Sequence, residues 1–461
     1  MNAIKTGEFE GVEELRKTLV GELFLPGDEG FGEASSAWNL VTTHAAQAVL
    51  EPKTVADVQL GLRFAAKNNL TVGIQTTGHG QMKACDGLLI NMRSMNGVTI
   101  DIATGIAKIG GGATWTDVIR PASELGLAPL SGSSPDVGAV GYLLGGGYNL
   151  MIRKYGLGID TIRAVEMVKS DGSIVHASET ENPELLWAIR GGGGGLGVIT
   201  RIDVQLFRHA EIFGGSVFYP VERAEEVMTA WLEWTKDLSE EISSAFQLIH
   251  LPPVPFVPEP LQGKSFAIVI ACSTASTEES EALLHPIRSL GGSFMDNFRP
   301  MPYSECATIF NDPVDPVPFQ GTGALLREFA TEDIQPFLRE AGEMASSPNL
   351  MIQIRHIAGQ TARNAHATCA TSHREAKYLL HMLGVPIFVA PPMIEAQAEK
   401  LLSSVEHQIL SRGPMTFIGE NLTSSQIERV LDESNWARLK QVKDEVDPAN
   451  RFAFSGSGIR D

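Results

Sequence analysis

Apolar residues recur along this chain at two spacings, and the first part of the chain alternates short runs with helical patterns. Runs of four to five mostly β-branched or aliphatic residues, bounded by Gly or Asp, are typical of strands. They predict strands over residues 71–74, 87–91, 97–101, 105–109, 164–168 and 173–176, with a further strand that ends at residue 207. Apolar residues at helical spacing predict helices over residues 11–23, 54–66, 114–125 and 183–189.

The second part, from about residue 211, has longer elements. The spacing predicts strands over 215–219, 244–250, 266–271 and 350–356, and helices over 222–238, 278–290, 331–344 and 392–410. Long strands and long amphipathic helices indicate an α+β lobe with an antiparallel sheet covered by helices on one face. A last segment, 413–461, contains a predicted helix over 426–446.

Two short sequence patterns predict a helix start and a turn between strands. Thr54 precedes a helical pattern with Asp57 three positions later, and this pair predicts an N-cap. The pair Asp171-Gly172 lies between two strand patterns and predicts a hairpin turn.

Three glycine-rich segments interrupt the first part, at residues 72–80, 131–147 and 191–195. In the first, Gly78 and Gly80 lack a Cβ atom, so a diphosphate can approach the backbone N–H groups of the turn closely. The second is too apolar for a linker, and its many glycines predict an irregular loop against a flat ligand because glycine disfavours helix. A fourth run, 110–112, fails the dinucleotide-binding spacing because Trp115 stands at the third glycine position, which leaves a tight strand-to-helix turn.

Composition narrows the possible partners and surroundings. The 461 residues are 43% hydrophobic and 20% charged, which suits a soluble enzyme of two or three lobes, and the net charge of −19 argues against nucleic acid and anionic membranes as partners. The N-terminus lacks a basic start followed by an apolar run, and no apolar run reaches about 20 residues, so we expect a cytoplasmic protein.

Four cysteines are widely separated, at positions 85, 272, 306 and 369, and no metal-ligand spacing of Cys or His occurs. We therefore expect reduced, mostly buried thiols and no metal site.

An ordered set of motifs spans nearly the whole chain. It comprises residues 76–79, residues 134–141 with 145–147, residues 153–157, residues 186–191 with 197–200, and residues 447–452. Together these motifs resemble the FAD-linked oxidases of the berberine-bridge-enzyme type, within the vanillyl-alcohol-oxidase and p-cresol-methylhydroxylase (PCMH) superfamily.

The resemblance implies an α+β fold, with a PCMH-type FAD-binding domain of two α/β subdomains and an α+β substrate domain with a large antiparallel sheet. Its expected boundaries are an N-terminal helix and loop at 1–39, the FAD-binding domain at 40–210, the substrate domain at 211–413, and a segment at 414–461 that returns to the FAD-binding domain.

The resemblance also places His79 where this group attaches flavin through its 8α-methyl group, and an imidazole nitrogen is a suitable nucleophile for that carbon. Many relatives attach the flavin a second time through a Cys, and Ser134 stands at that position. Because a hydroxyl is a weak nucleophile, we expect one covalent link. The expected cofactor-binding residues are Thr76, Thr77, Gly78, His79, Gly80, Gln81, Ser131, Gly132, Ser134, Val137, Gly138, Gly141, Tyr142, Gly145, Gly146, Gly197, Val198, Ile199, Ser455 and Ser457.

The catalytic residues are harder to assign, because the Tyr-x-Asn motif of many relatives reads Gly419-Glu420-Asn421 here. Asn421 is retained and the phenol is lost. Glu420 could act as a base only if burial raised its pKa, and on a strand it would point away from Asn421, so a solvated carboxylate is the alternative. The remaining candidates are Tyr142, beside the glycine loop, and His356, for which a core position is the alternative.

Asp160, Arg190 and Arg374 are interpreted as structural residues that pair with other groups. The function that this set of motifs predicts is an FAD-dependent oxidase that removes hydride from a C–H beside an alcohol, hemiacetal or amine and reoxidises with O₂. The expected substrate is a small molecule, either a sugar or a secondary metabolite. Two alternatives stay open: a dehydrogenase with another electron acceptor, and a redox-silent relative that acts as a cyclase or binding protein.

Overall fold

The structure is a computed structural model, and it describes residues 9–80, 83–255, 257–363, 369–417 and 430–453. Three sheets organise these residues, and helices cover the faces of the sheets. The helices are Val12–Thr18, Phe31–Ser35, Val55–Lys67, Trp115–Glu124, Ala139–Leu144, Ile152–Tyr155, Pro183–Ile189, Ala224–Thr235, Thr277–Arg288, Thr331–Ala341, Gln360–Arg363, Pro391–Ser404 and Glu433–Val446. None of the described helices combines the length and the apolar character that a membrane crossing needs.

The first sheet, sheet A, has the strand order Glu22–Phe24, Ala48–Glu51, Leu88–Asn91, Val72–Gln75. Its last three strands are parallel, and the edge strand Glu22–Phe24 pairs antiparallel. Helix Val55–Lys67 crosses over between two of the parallel strands and buries its apolar face against the sheet. The predicted cap is confirmed: the Thr54 hydroxyl oxygen accepts a hydrogen bond from the Asp57 amide, and the Asp57 carboxylate accepts one from the Thr54 amide.

The second sheet, sheet B, is antiparallel, with the order Val98–Asp101, Ile106–Gly110, Val198–Gln205, Ile162–Val168, Ile174–Ser178. Its last two strands form the predicted hairpin, and Gly172 adopts a φ of +81° in the turn between them. A short pair, Leu127–Ala128 with Phe207–Arg208, lies beside this sheet.

The third sheet, sheet C, is antiparallel and large. Its strands are Met295–Asp296, Glu211–Pro220, Lys264–Ser273, Ile242–Leu251, Met351–His356, Tyr378–Gly384, Gln320–Leu326 and Ile409–Ser411 in that order, with Arg299–Pro302 pairing beside Glu211–Pro220. Successive residues of each strand face opposite sides of the sheet and pack into two different hydrophobic cores. Phe246, Val269 and Leu380 pack under the long helices, whereas Ile268, Ile270 and Leu379 pack against the cofactor side of the molecule.

The predicted fold class, α+β with a large antiparallel sheet, is confirmed. The domain boundaries at residues 39, 210 and 413 stay predictions. Several element predictions were wrong in detail. The first helix ends at Thr18, because residues 22–24 join sheet A, and the segment after residue 138 forms a short helix that accommodates Gly141.

Strands Gln320–Leu326 and Tyr378–Gly384 were missed. The last helix begins at Glu433 rather than residue 426: Asp432 caps it by accepting from the Asn435 amide. Residues 426–429 of that prediction lie outside the described ranges.

One arginine joins the glycine-rich part of the chain to sheet C. The guanidinium of Arg153, which is 5% exposed, donates to the carbonyl oxygens of residues 238, 239, 242 and 358 over 2.6–2.9 Å. Burial lowers the pKa of Arg153 to about 10, so the group stays charged at neutral pH. These four bonds place the Ile152–Tyr155 helix against the end of the Ile242–Leu251 strand.

A second buried charge holds the C-terminal motif. Lys443 donates to the Gly195 carbonyl at 2.7 Å and to the Asp447 carboxylate at 2.6 Å, and both charged side chains are almost fully buried. Asp447 also accepts from the amides of Arg451 and Phe452. The Asp447-Pro-x-Asn450 motif therefore stabilises the last glycine of the 191–195 segment.

We expect the Lys443→Met substitution to lower the free energy of unfolding by about 3–5 kcal/mol, because it leaves a buried carboxylate without its cation. Urea unfolding checks this, with Lys440→Met on the exposed side of the same helix as the matched control. Adding Asp447→Asn to Lys443→Met should recover part of the loss. Equal stability of the Lys443 and Lys440 variants would contradict the assignment.

Candidate functional site

The three glycine-rich segments converge on one cavity of about 270 Å³, here named the cofactor cavity. Ile74, Gln75, Thr76, Thr77, Gly78, His79, Gly80, Met92, Gly111, Val137, Gly138, Val140, Gly141, Tyr142, Leu144, Gly145, Gly193, Gly194, Gly195, Gly197, Ile199, Met415 and Thr416 line it. Segments more than a hundred residues apart in sequence thus meet around one space.

The turn that carries His79 begins where strand Val72–Gln75 leaves sheet A. Gly78 takes a φ of +69°, and a Cβ atom there would lie 2.6 Å from Ala37, so this position requires glycine. Thr76 donates to the Gly111 carbonyl at 3.0 Å and fixes this turn against the 110–112 glycine turn. The imidazole of His79 is thereby directed to the border of the cavity.

His79 has the properties of a neutral nucleophile. Its ring stacks on Trp38 with centroids 3.7 Å apart, and its Nδ1 atom is buried without a hydrogen-bond partner in the described structure. Burial lowers the pKa of His79 to about 4, because the charged form is desolvated, so the ring is neutral at neutral pH. A neutral imidazole carries a lone pair on one of its two nitrogens, and in the tautomer protonated at Nε2 this is the unpartnered Nδ1.

The glycines of the cavity show why side chains are excluded from it. A Cβ atom on Gly138 would press on Thr76 at 2.9 Å, and one on Gly145 would lie 2.1 Å from Thr416 Oγ1. Beside Gly80 and Gly141, by contrast, nothing lies within 4 Å, so a side chain there would extend into open space. The lining therefore fits a large planar group that touches backbone, and FAD is such a group.

A second cavity, of about 240 Å³, adjoins the first and is named the substrate cavity. His79, Gly80, Val137, Tyr142 and Thr416 line both. Its own walls come from sheet C, from residues 310–319 and from Trp38, residues 132–134, Tyr148 and Phe417. Five aromatic side chains besides Tyr142 take part: Trp38, Tyr148, Phe310, Phe319 and Phe417. The two cavities thus share a border that includes His79.

Sheet C contributes a row of polar side chains to the substrate cavity. The register pairs Gln247 with Gln353 and Gln353 with His381, so the three lie side by side on one face. Gln353 and His381 line the cavity. Burial lowers the pKa of His381 to about 3, so its ring is neutral, and its Nδ1 atom has no partner among the described residues.

Tyr142 lies at the border of the two cavities, edge-on to Trp115 with centroids 5.5 Å apart. Its hydroxyl is buried and has no hydrogen-bond partner in the described ranges. Burial raises the pKa of Tyr142 far above its usual range, while the positive charge of Arg355 opposes the rise. The phenol is therefore a neutral group with a free donor that faces both spaces.

Most of the predicted cofactor residues line the cofactor cavity, and the remainder divide into three groups. Gly132 and Ser134 line the substrate cavity. Ser131, Gly146 and Val198 line neither: Ser131 is fully buried and bonded to the Tyr303 hydroxyl, and Val198 packs in the core of sheet A. Gln81, Ser455 and Ser457 lie outside the described residues, as do the catalytic candidates Glu420 and Asn421.

His356 also lies away from both cavities. It stacks on Tyr378, with centroids 5.3 Å apart, on the side of the strand opposite Gln353 and Arg355. Its predicted catalytic role gains no support from this position. The residues interpreted as structural do pair: Arg374 bonds Asp160 over 2.6 and 2.9 Å, and Arg190 donates to the Ile162 carbonyl.

Sequence reasoning missed Trp38, Gln353, Arg355 and His381. It singled out the 191–195 segment but did not name Gly193, Gly194 and Gly195 among the cofactor-binding residues. A signal for two of them was present: in the strand Met351–His356, polar residues 353 and 355 alternate with Ile352 and Ile354. Alternation of this kind marks one face as different from the core. Trp38 and His381 had no such local signal.

The four cysteines are free and buried, as predicted. Burial raises the pKa of Cys85 to about 11 and that of Cys306 to about 12, and the pKa values of Cys272 and Cys369 also rise. The thiols are therefore protonated at neutral pH and are poor nucleophiles. In the described part of the chain, no group of three or more His, Cys, Asp or Glu residues could hold a metal ion.

Comparison with known proteins identifies the cofactor. Residues 46–178 match the family model described as an FAD-binding domain. An (R)-6-hydroxynicotine oxidase from Paenarthrobacter nicotinovorans is 26% identical over 459 residues, covering 94% of this chain and 96% of that protein.

Two solved structures share the fold. A glucooligosaccharide oxidase from Acremonium strictum, with a 6-S-cysteinyl, 8α-N1-histidyl FAD, superposes with a TM-score of 0.81 at 20% identity and covers 95% of this chain and 96% of its own. A berberine-bridge-enzyme-like protein from Physcomitrella patens has a TM-score of 0.81 at 19% identity, covering 97% and 99%.

We expect Gly141→Val to reduce the flavin content of the purified protein to a small fraction of the wild-type content, because its side chain would occupy the open space of the cofactor cavity. The ratio of flavin to protein absorbance measures this. Gly97→Val is the matched control: that glycine is exposed, has no heavy atom within 4 Å of a built Cβ, and lies outside both cavities. Full flavin content in the Gly141 variant would contradict the placement of the cofactor.

Proposed function

We propose, from the premise that this chain belongs to the berberine-bridge-enzyme-like flavoproteins with a PCMH-type FAD-binding domain, that it is an oxidase with FAD attached through His79 alone. The chain is an FAD-dependent oxidoreductase. The observation that carries the proposal is the meeting of the two cavities at a neutral imidazole whose Nδ1 atom has no described partner. When bound, FAD supplies the acceptor for a hydride from substrate.

The residues around His79 support attachment at this position. Trp38 packs flat on the imidazole and donates through Nε1 to the Val314 carbonyl at 3.1 Å, which limits rotation of both rings. A held, desolvated and neutral imidazole is prepared to form a bond without first losing a proton. The hydroxyl of Ser134 lines the substrate cavity but lacks the acidity of a thiol, which supports a single link.

The substrate cavity has room for a small molecule whose reacting carbon would lie near the border that it shares with the cofactor cavity. Tyr142 and His381 offer polar atoms that have no partner among the described residues, and these suit a hydroxyl or amine on that carbon. Named relatives are oxidases of 6-hydroxynicotine and of glucooligosaccharide, and both kinds of substrate fit this description. We propose O₂ as the electron acceptor by the same analogy.

His79→Ala should leave FAD bound but releasable by acid precipitation, whereas the wild-type protein should keep its yellow colour in the precipitate. The reason is that the substitution removes the nucleophile while the glycine-lined cavity persists. Intact mass of the denatured protein checks this, since only an attached flavin adds its mass. Ser134→Ala is the control and should retain full attachment. Complete release of flavin from acid-treated wild type would refute the link.

The electron acceptor is tested separately by reoxidation. After anaerobic reduction with dithionite, mixing with air-saturated buffer in a stopped-flow instrument should restore the oxidised flavin spectrum within seconds. Persistence of the reduced spectrum for minutes would contradict an oxidase and leave a dehydrogenase. Reoxidation by an added quinone or dye, in a sample that air does not reoxidise, would then confirm that the flavin itself is competent.

A further inference from the structure

We propose that the substrate cavity is built for an anion, and that the guanidinium of Arg355 binds a carboxylate of a small, largely apolar substrate. The inference names a substrate class for the proposed function and rests on it.

Arg355 enters the cavity from strand Met351–His356. Its guanidinium lies over the rings of Phe310 and Phe417, at 5.1 and 5.5 Å from their centroids. Its Nε atom donates to Gln353, whose amide donates in turn to Gln247. These contacts fix the plane of the guanidinium, while its two terminal nitrogens make no hydrogen bond within the described chain.

Two guanidinium groups that this protein buries, those of Arg153 and Arg374, each make several hydrogen bonds to protein acceptors. Arg153 donates to four carbonyl oxygens, and Arg374 donates to both oxygens of Asp160 and to the Thr361 carbonyl. Arg355 is half-buried, and a purely structural role would predict that its terminal nitrogens are bonded in the same way, because a partly desolvated charge without partners is costly. Free donors facing a cavity are instead typical of a ligand site.

The surrounding charges and donors suit an oxyanion. Among the described residues that line the substrate cavity, Asp312 is the one carboxylate; it is exposed and forms no ion pair with Arg355. Burial lowers the pKa of Arg355, and the charge of Asp312 opposes this from beyond ion-pair distance. Tyr142 and His381 add neutral polar atoms without described partners. In a chain with a net charge of −19, a positive group left unpaired in this space is notable, because carboxylates are abundant elsewhere on the protein.

The rest of the lining defines the other end of the ligand. Trp38, Phe319, Met351 and Leu383 supply apolar wall, and no second cation lines the cavity within the described ranges. A ligand that matches both parts has one anionic group and an apolar, flat or branched body. Its carboxylate would lie between the two aromatic rings that hold Arg355, with its body extending toward the border at His79.

The test uses the purified holoenzyme and two probes of nearly equal shape, benzoate and benzamide. Isothermal titration calorimetry should show tighter binding of benzoate to the wild type, and Arg355→Met should weaken benzoate binding by about tenfold or more while leaving benzamide nearly unchanged. Arg355→Lys, which keeps the charge and loses the planar fork, should retain part of the difference. Arg299→Met, an exposed arginine paired with Glu305, is the matched control and should bind benzoate like the wild type.

Equal affinity of the wild type for the two probes would overturn the proposal, and this comparison needs no variant to fold. Unchanged benzoate affinity in a folded Arg355→Met protein would overturn it as well. Calorimetry reports binding without turnover, whereas flavin attachment and reoxidation are measured separately. A failed anion test with an intact, air-reoxidised flavin would therefore reject the substrate class alone.

Discussion

The position of the site depends on one buried cation, Arg153. A guanidinium removed from water is tolerated only where its donors are satisfied, and here four carbonyl oxygens at the ends of sheet C elements satisfy it. Because the carbonyls have fixed directions, the glycine-rich part of the chain can sit against the sheet in one way. That arrangement brings the border of the cofactor cavity, with His79, onto the face of sheet C that carries Gln353 and His381.

The cofactor cavity and the substrate cavity are built by different means. The first is lined largely by backbone, since glycines at 78, 138 and 145 have no room for a Cβ atom, and its shape follows from local turns. The second is lined by side chains that project from adjacent strands and from residues 310–319. Cofactor binding therefore constrains backbone conformation, while substrate binding constrains the identity of a few side chains.

This difference explains how much could be predicted from the sequence. Caps, the hairpin and the glycine turns are local, and they were predicted because Thr54 with Asp57 and Asp171 with Gly172 lie within a few residues of each other. The substrate side was largely missed. His381 meets Gln353 through strand register, and Trp38 bonds the carbonyl of Val314, so no local pattern contains these pairs. Strand Tyr378–Gly384 is apolar on both sides of His381, which hides its period-two alternation.

The two faces of sheet C have different roles: one packs against the helices, and the other lines the substrate cavity. Even-numbered positions of strand Met351–His356, such as Ile352 and Ile354, pack under the long helices, and the odd-numbered positions 353 and 355 face the cavity. Strand Tyr378–Gly384 shows the same parity, with Leu380 and Met382 in the helix-side core and His381 and Leu383 in the cavity. Because side chains on opposite faces of a strand do not touch, substitution of the cavity-facing residues leaves the helix-side core intact. Substitutions at the cavity-facing positions can therefore change which substrate the fold accepts without altering the helix layer or the glycine-rich segments of the cofactor cavity.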